Sequence, residues 1–256
     1  MSDILTEQHG RVLHLILNRP QKKNALTLEM YQALRAGLAH AAEAAQIRCV
    51  LLHGGSEAFT AGNDLKDFAL QPPADTSAPA FQFMLAMMHF PKPIVAAVAG
   101  VAVGIGTTIL PYCDLVYAAE SARFQMPFVD LGLLPEAGST FTMPWLLGTH
   151  RAAEYLMLGT PFGAPEALQM GLINAIVPAA ELLARATAVA EQLAGKAPSA
   201  LRHTKQLLRQ SWLALAEAAR GREAPLFLDA LRGPESREAF AAFFAKRPAD
   251  FSKLDH

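Results

Sequence analysis

The chain has 256 residues, 52% of them hydrophobic, with a formal net charge of −1 and two cysteines. That length suits one large domain, or a core domain with an appendage. A near-neutral balance without a basic run excludes the electrostatic footprint of a nucleic-acid binder. Cys49 and Cys113 lie in apolar runs, so they read as reduced core residues, not a disulfide framework or metal site.

The opening "MSDILTEQHG" lacks a basic segment followed by an apolar run, so no signal peptide is expected and the expected location is cytoplasmic. "RVLHLILNRP" alternates and is rich in β-formers, which predicts a strand ending at Asn18 to Pro20. "TLEMYQALRAGLAHAAEAA" places Leu28, Tyr31, Leu34, Leu38 and Ala41 on one helical face, with Thr27 as N-cap and Glu29 in the first turn. "RCVLLHGG", "KPIVAAVAG", "CDLVYAA" and "INAIVP" read as further strands, separated by helical or glycine-rich material. That alternation predicts an α/β domain with much parallel pairing. "QPPADTSAPA", Gln71 to Ala80, is polar and proline-rich and reads as a mobile loop.

Ile94 to Tyr112 carries no charge and approaches membrane-spanning length. Gly100, Gly104, Gly106 and Pro111 divide it into a strand, a tight loop and a buried helix that Pro111 shortens or bends, so no membrane is expected. After Ala179, "AELLARATAVAEQLAG", "PSALRHTKQLLRQSWLALAEAARG" and "SREAFAAFFAKR" predict helices with Pro or Gly between them. The expected division is a core over residues 1–196 and a helical C-terminal part over 197–256. "SKL" at Ser252 to Leu254 is followed by Asp255 and His256, so it does not read as a peroxisomal address.

Two glycine loops carry the chemistry. "FTAGNDLKDF" and "AGVAVGIGTTIL" each place small residues between a strand and a helical segment. Glycine lets backbone approach a ligand closely, and a helix start offers free N–H donors. Two such donors aimed at one point form an oxyanion hole. Neither loop fits a P-loop, and the second lacks the full dinucleotide fingerprint. None of the eight histidines has the partner pattern of a triad or a metal site, so no metal is expected.

These loops, with "NRPQKKNALT", "KPIVAAVAGVAVGIG", "CDLVYAAESARFQMPFVDLGLLPEAGST", "GAPEALQMGLINAIV" and "AFFAKRPADF", resemble the crotonase, or enoyl-CoA hydratase/isomerase, superfamily over nearly the whole chain. The resemblance implies an α/β spiral of ββα units with a C-terminal helical trimerisation region. It implies an acyl-CoA thioester substrate, a homotrimer or hexamer, and no cofactor beyond the CoA of the substrate. It also implies that the backbone N–H groups of Asn63 and Ile105 stabilise an enolate. Ala61, Gly62, Asp64, Leu65, Phe68, Gly104, Thr108, Phe128 and Lys22 would contact substrate.

Hydratases of the family use two glutamates. Here their positions hold Thr108 and Phe128. The AGND loop and "LGLLPEAGST" resemble the peroxisomal-type Δ3,Δ2-enoyl-CoA isomerases, in which the glutamate at the position of Glu136 is the base. A plain reading of Pro135–Glu136 is a helix start, whose dipole would favour the carboxylate and oppose the effect of burial on its pKa. The two roles are compatible, and the glycine loops with the missing hydratase acids favour Glu136 as the single acid/base of an isomerase. The alternatives are a hydratase, with Asp130 as a substitute acid, another CoA-thioester reaction, or a non-catalytic acyl-CoA binder. Asp130 reads more readily as a structural hydrogen-bonding residue, and Asp64 as the holder of its own turn. Lys22 and Lys23 could face CoA phosphates or solvent. Lys246 and Arg247 read as surface charge. Phe68, Phe81, Met84, Met87 and Met88 could line an acyl pocket or pack a helical core.

Overall fold

The computed structural model describes residues 2–254. β1 (Ile4–His9) and β2 (Val12–Leu17) form an antiparallel hairpin whose turn uses Gly10 at φ +58°. Next come α1 (Leu28–Glu43), β3 (Cys49–His53), α2 (Leu65–Leu70) and α3 (Pro79–His89). They are followed by β4 (Ile94–Val98), β5 (Val101–Val103), α4 (Ile105–Thr108), β6 (Leu115–Ala119), β7 (Arg123–Gln125) and α5 (Ser139–Leu147). α6 (Thr149–Met157), β8 (Phe162–Gly163), α7 (Ala164–Gln169) and β9 (Ala175–Val177) complete the sheets. The chain then runs through α8 (Leu182–Ala194), α9 (Pro198–Gln210), α10 (Leu213–Arg232) and α11 (Pro234–Phe244).

The larger sheet has the order β1-β2-β3-β4-β6-β9, parallel from β2 onward. A smaller sheet has the order β5-β7-β8. The segments β4–β5–α4 and β6–β7–α5 repeat one plan. In each, the first strand joins the large sheet, the second joins the small sheet, and a helix follows.

β3 and β4 are buried along their whole length, which is why they read as continuous apolar runs. Val50, Leu52, Ile94 and Ala96 face a core shared with α1 and α3. Cys49, Leu51, Val95 and Ala97 face the opposite way, against Ala186, Val189 and Ala190 of α8. Both cysteines are free and buried, and burial pushes their thiols up to about 12, far from reactive thiolates. Asp114 ties α9 to the sheet: it accepts from the Ile94 N–H at 2.8 Å and pairs with Lys205 at 2.7 Å and Arg209 at 3.2 Å.

α1 forms where its apolar period predicts, with Tyr31, Leu34, Leu38 and Ala41 buried and Leu28 partly so. Thr27 caps it by accepting from the Met30 N–H at 3.3 Å. The apolar stretch 94–112 is two strands, a short helix and a 3₁₀ turn at Leu110–Tyr112 that contains Pro111. Among the described residues no helix is long and apolar enough to cross a membrane.

Three expectations need correction. β1, β5, β7 and β8 have no counterpart in the sequence reading. The segment expected to be one helix over 198–221 breaks after Gln210, and α10 then runs on through Gly221 and Pro225 to Arg232. Burial of Ala224, Phe227, Leu228 and Leu231 at helical spacing outweighs those two poor helix formers. The helix expected to start at Pro135 begins instead at Ser139, with Gly138 as its N-cap.

Candidate active site

The two glycine loops are stitched to each other. Thr60 exchanges backbone hydrogen bonds with the strand that leads into the second loop: its N–H donates to Val101 at 3.0 Å and its carbonyl accepts from Val103 at 3.0 Å. The Thr60 hydroxyl donates to the Asn24 carbonyl at 2.6 Å and accepts from the Gly62 N–H at 3.1 Å. Asn24 is buried and its side-chain amide donates to the carbonyls of Gly54 and Ala58 at 3.0 and 2.8 Å. Gly62 sits at φ +86°, and a Cβ there would stand 2.8 Å from the Val103 carbonyl oxygen. Only glycine fits both that conformation and that approach.

This stitching leaves the Asn63 and Ile105 amides without acceptors among the described residues. Leu26 donates to Gly62 and accepts from Asp64, so the intervening Asn63 N–H faces away from that strand and has no acceptor among the described residues. Ile105 is the first residue of α4, following Gly104 at φ +55°, and its N–H also donates to no group among the described residues. Uncommitted N–H groups on tightly braced backbone can stabilise developing negative charge without reorganising. The Asn63 side chain is fixed from behind, where Tyr31 Oη donates to Asn63 Oδ1 at 2.5 Å.

Glu136 is only 2% exposed. Thr108 Oγ1 donates to its Oε1 at 2.6 Å, while Oε2 is buried with no hydrogen-bond partner among the described residues. Burial pushes its pKa up to about 8, the Thr108 bond pulls the other way, and the Glu223 charge adds to the rise. Glu136 is not a first-turn residue of α5, because it precedes the N-cap Gly138 by two residues. The next residue, Ala137, takes a left-handed φ of +60°. That conformation costs a non-glycine residue about 1–2 kcal/mol, and Tyr112 Oη holds it by donating to the Ala137 carbonyl.

A cavity of about 690 Å³ opens beside the loops. Its wall includes Ala61, Gly62, Asn63, Asp64, Leu65, Phe68, Gly104, Ile105, Phe128 and Lys22. Phe227, Phe243 and Phe244 close it from the C-terminal helices. Thr108 and Glu136 are not part of this wall, although Ile105 and Leu133, each three residues earlier, are. Thr108 therefore serves the carboxylate, not the cavity surface.

Asp64 caps α2, accepting from Lys66 and Asp67 N–H groups at 3.0 and 3.2 Å, and pairs with Arg19 at 2.6 Å. Partial burial opposes its ionisation, but Arg19 and these amides hold its pKa below the usual value. Asp130 departs from the structural role expected of it: its carboxylate is exposed, lies on the cavity rim and has no hydrogen-bond partner among the described residues. Phe81, Met84, Met87 and Met88 pack in the core and do not reach the cavity. Lys23 and Lys246 are exposed, and Arg247 pairs with Glu238 at 2.5 Å. The proline-rich loop is tied at Ala74, whose carbonyl accepts from Arg232 at 2.7 Å. Among the described residues no group of three or more His, Cys, Asp or Glu side chains could hold a metal ion.

Residues 7–254 match the family model described as enoyl-CoA hydratase/isomerase. The chain belongs to the enoyl-CoA hydratase/isomerase family. It is 34% identical over 252 residues to 2,3-dehydroadipyl-CoA hydratase of Escherichia coli K12, covering 98% of this chain and 99% of that one. It is 32% identical over 251 residues to enoyl-CoA delta isomerase 2 of Rattus norvegicus, covering 96% of this chain and 64% of the relative. Among solved structures it resembles Pseudomonas aeruginosa OdaA, with a TM-score of 0.93 and 43% identity over 95% of this chain and 99% of that one. It also resembles an enoyl-CoA hydratase/isomerase from Pseudoalteromonas atlantica T6c, with a TM-score of 0.92 and 38% identity over 98% and 100%.

The fold is thus the crotonase type, and the chain is a family enzyme acting on an acyl-CoA thioester. Hydratases and isomerases both stand among its relatives, so the reaction must be argued from the site. Two residues that brace the loops escape the sequence reading. Tyr31 looked like one more apolar position on α1. Asn24 lies within a motif that carried the resemblance, but nothing local distinguishes it from an ordinary loop asparagine.

Proposed function

We propose that the enzyme is a Δ3,Δ2-enoyl-CoA isomerase with Glu136 as its single acid/base. The thioester oxygen sits between the Asn63 and Ile105 N–H groups. Glu136 Oε2 takes a proton from C2, the C2–H electron pair forms a C1=C2 bond, and the C1=O pair moves onto the thioester oxygen, giving a dienolate conjugated with C3=C4. The same carboxyl group returns the proton to C4, leaving a C2=C3 double bond. The net change is a shift of one proton and one double bond, with no water consumed. Losing either N–H donor would cost roughly 3–4 kcal/mol of barrier.

One observation carries the choice of isomerase over hydratase. The carboxylate beside the loops is dry and has one committed oxygen and one uncommitted oxygen, while the positions where hydratases keep their acids hold Thr108, bound to Glu136, and Phe128, an apolar part of the wall. A dry site limits hydration and proton loss. The raised pKa strengthens the ionised form as a base, and a value near the working pH suits a group that both removes and returns a proton. The reading requires C2 of the bound thioester to reach Glu136 Oε2.

Hydration is the second reading, because Asp130 places an unpaired carboxylate on the cavity rim. Supplying purified enzyme with a trans-3-enoyl-CoA and, separately, a trans-2-enoyl-CoA separates the two. Isomerisation of the first at least about 100-fold faster than hydration of the second, a gap near 3 kcal/mol in barrier, is the expected result. The reverse order favours hydration.

We further propose a homotrimer, or a hexamer built from two trimers, with residues 197–256 as the assembly region. Leu207, Leu208, Phe243 and Phe244 are exposed on α9 and α11, an apolar surface that suits contact with other copies of the chain. Sedimentation of the purified protein tests this, since a monomer at micromolar concentration would contradict it.

A further inference from the structure

The turn that carries Glu136 is held from the far end of the chain. Glu223, on α10, is buried at 5% exposure and does not line the cavity. Its Oε2 accepts from the Gly138 N–H at 2.7 Å. Its Oε1 accepts from the Thr140 N–H at 2.9 Å and from the Thr140 hydroxyl at 2.6 Å. Gly138 is pressed against the same helix: a Cβ there would stand 2.7 Å from the Ala216 carbonyl oxygen and 2.9 Å from Tyr112 Oη. Between Glu136 and Gly138 lies left-handed Ala137, whose carbonyl Tyr112 holds. The strained turn is therefore gripped at consecutive residues by one hydroxyl and one carboxylate.

We propose that Glu223 is a positioning residue for Glu136: its carboxylate, reaching from α10, locks the Ala137–Gly138 turn and so fixes where the catalytic carboxylate stands. The inference rests on the reading of Glu136 as the base. A buried carboxylate is an expensive way to cap a helix start, and a neutral Ser or Asn at the cap would serve α5 alone. Glu223 instead spans the helix start and the strained turn together, and it links the C-terminal helices to the reacting group.

Glu223 also brings a second negative charge towards Glu136. The groups around Glu136 are Thr108 on α4, Tyr31 on α1, Tyr112 on the 3₁₀ turn and Glu223 on α10. Around Glu223 stand Thr140 and the Gly138 amide, with Arg222 on its own helix and Tyr112 opposite. Arg220 reaches towards Tyr112 from α10. Of these neighbours only Glu223 pushes the Glu136 pKa upward, in addition to burial itself.

The test measures Glu223→Gln and Glu136→Gln together on a trans-3-enoyl-CoA, with kcat and KM followed across pH. Glutamine keeps the size of the side chain but loses one acceptor and the charge. The expected result for Glu223→Gln is a kcat lower by about 100-fold, the cost of a small misplacement of a reacting group. KM should change by less than about threefold, because Glu223 does not touch the cavity. The limb of the kcat profile that reports the base should move to lower pH. If Glu223→Gln keeps the wild-type kcat and the wild-type limb while Glu136→Gln is inactive, the positioning role is overturned and the base reading survives. If Glu136→Gln remains fully active, both fall. If Glu223→Gln does not fold, amide hydrogen exchange on the wild-type protein decides. Slow exchange at Gly138 and Thr140 supports the lock, and exchange at the rate of an exposed loop overturns it.

Discussion

Thr108 Oγ1 donates to Glu136 Oε1 at 2.6 Å, which commits one oxygen of a buried carboxylate and leaves the other without a partner among the described residues. The hydroxyl favours the ionised form, against the burial that opposes it. Thr108→Val removes the donor at nearly constant volume. The expected outcome is a base pKa higher than in the wild type, a pH–rate limb displaced upward, and kcat at pH 7 reduced about tenfold, since a smaller fraction of Glu136 is ionised and its orientation is less defined. Steady-state rates from pH 6 to pH 10 check this.

The Glu136 pKa of about 8 also links stability to pH. Its folded-state value lies above the ordinary carboxylate value, so between those two pKa values the folded state holds a proton that the unfolded state has lost. Stability then falls as pH rises through this window. Below it, both states are protonated and the contribution is complete. The loss amounts to on the order of 3–5 kcal/mol across the window. Glu136→Gln lacks the titration. Its melting temperature should match that of the wild type near pH 4.5 and exceed it near pH 9, provided both unfold reversibly. Calorimetry at the two pH values checks this.

Gly62→Ala tests the oxyanion geometry. A methyl group there meets the Val103 carbonyl oxygen at 2.8 Å, on backbone at φ +86°. The loop must shift, and the Asn63 N–H moves with it. A kcat loss of 100-fold or more is expected, from loss of about 3 kcal/mol of transition-state stabilisation. Binding of a saturated acyl-CoA, measured by calorimetry, should weaken far less.

Phe128→Glu places a carboxylate in the cavity wall where the family's hydratases keep one. Hydration of a trans-2-enoyl-CoA relative to isomerisation should rise at least about tenfold, because an acid able to exchange a proton is worth 10²–10⁴ when well placed. The burial of Phe128 implies a stability cost of a few kcal/mol for the charge. An unchanged ratio in folded protein would count against the idea that Phe128 suppresses hydration.

Much of the fold is legible where local pattern and tertiary demand agree. α1 has both an apolar stripe and a capping threonine, and β3 and β4 are buried on both faces, so their runs are unbroken. β1 escapes notice because four of its six residues are exposed, which leaves no hydrophobic pattern. β5, β7 and β8 are too short to carry one. α10 passes the breakers Gly221 and Pro225 because its other face is buried against the core. The cavity side of the site was legible in the two glycine loops, where a conformational need selects a residue type. The side chains that brace the base and the first loop from behind were not. Glu223 lies 85 positions from Gly138, and Tyr31 lies 32 from Asn63. No local spacing reports contacts that the fold alone creates.

The most direct measurement mixes a trans-3-enoyl-CoA with wild-type enzyme and with folded Glu136→Gln, following the ultraviolet absorbance of the conjugated 2-enoyl thioester. Absorbance rising with the wild type and staying flat with the variant is the expected result. A rise of equal rate in both would contradict Glu136 as the base, and no rise with wild-type enzyme shown to bind the thioester would contradict isomerisation itself.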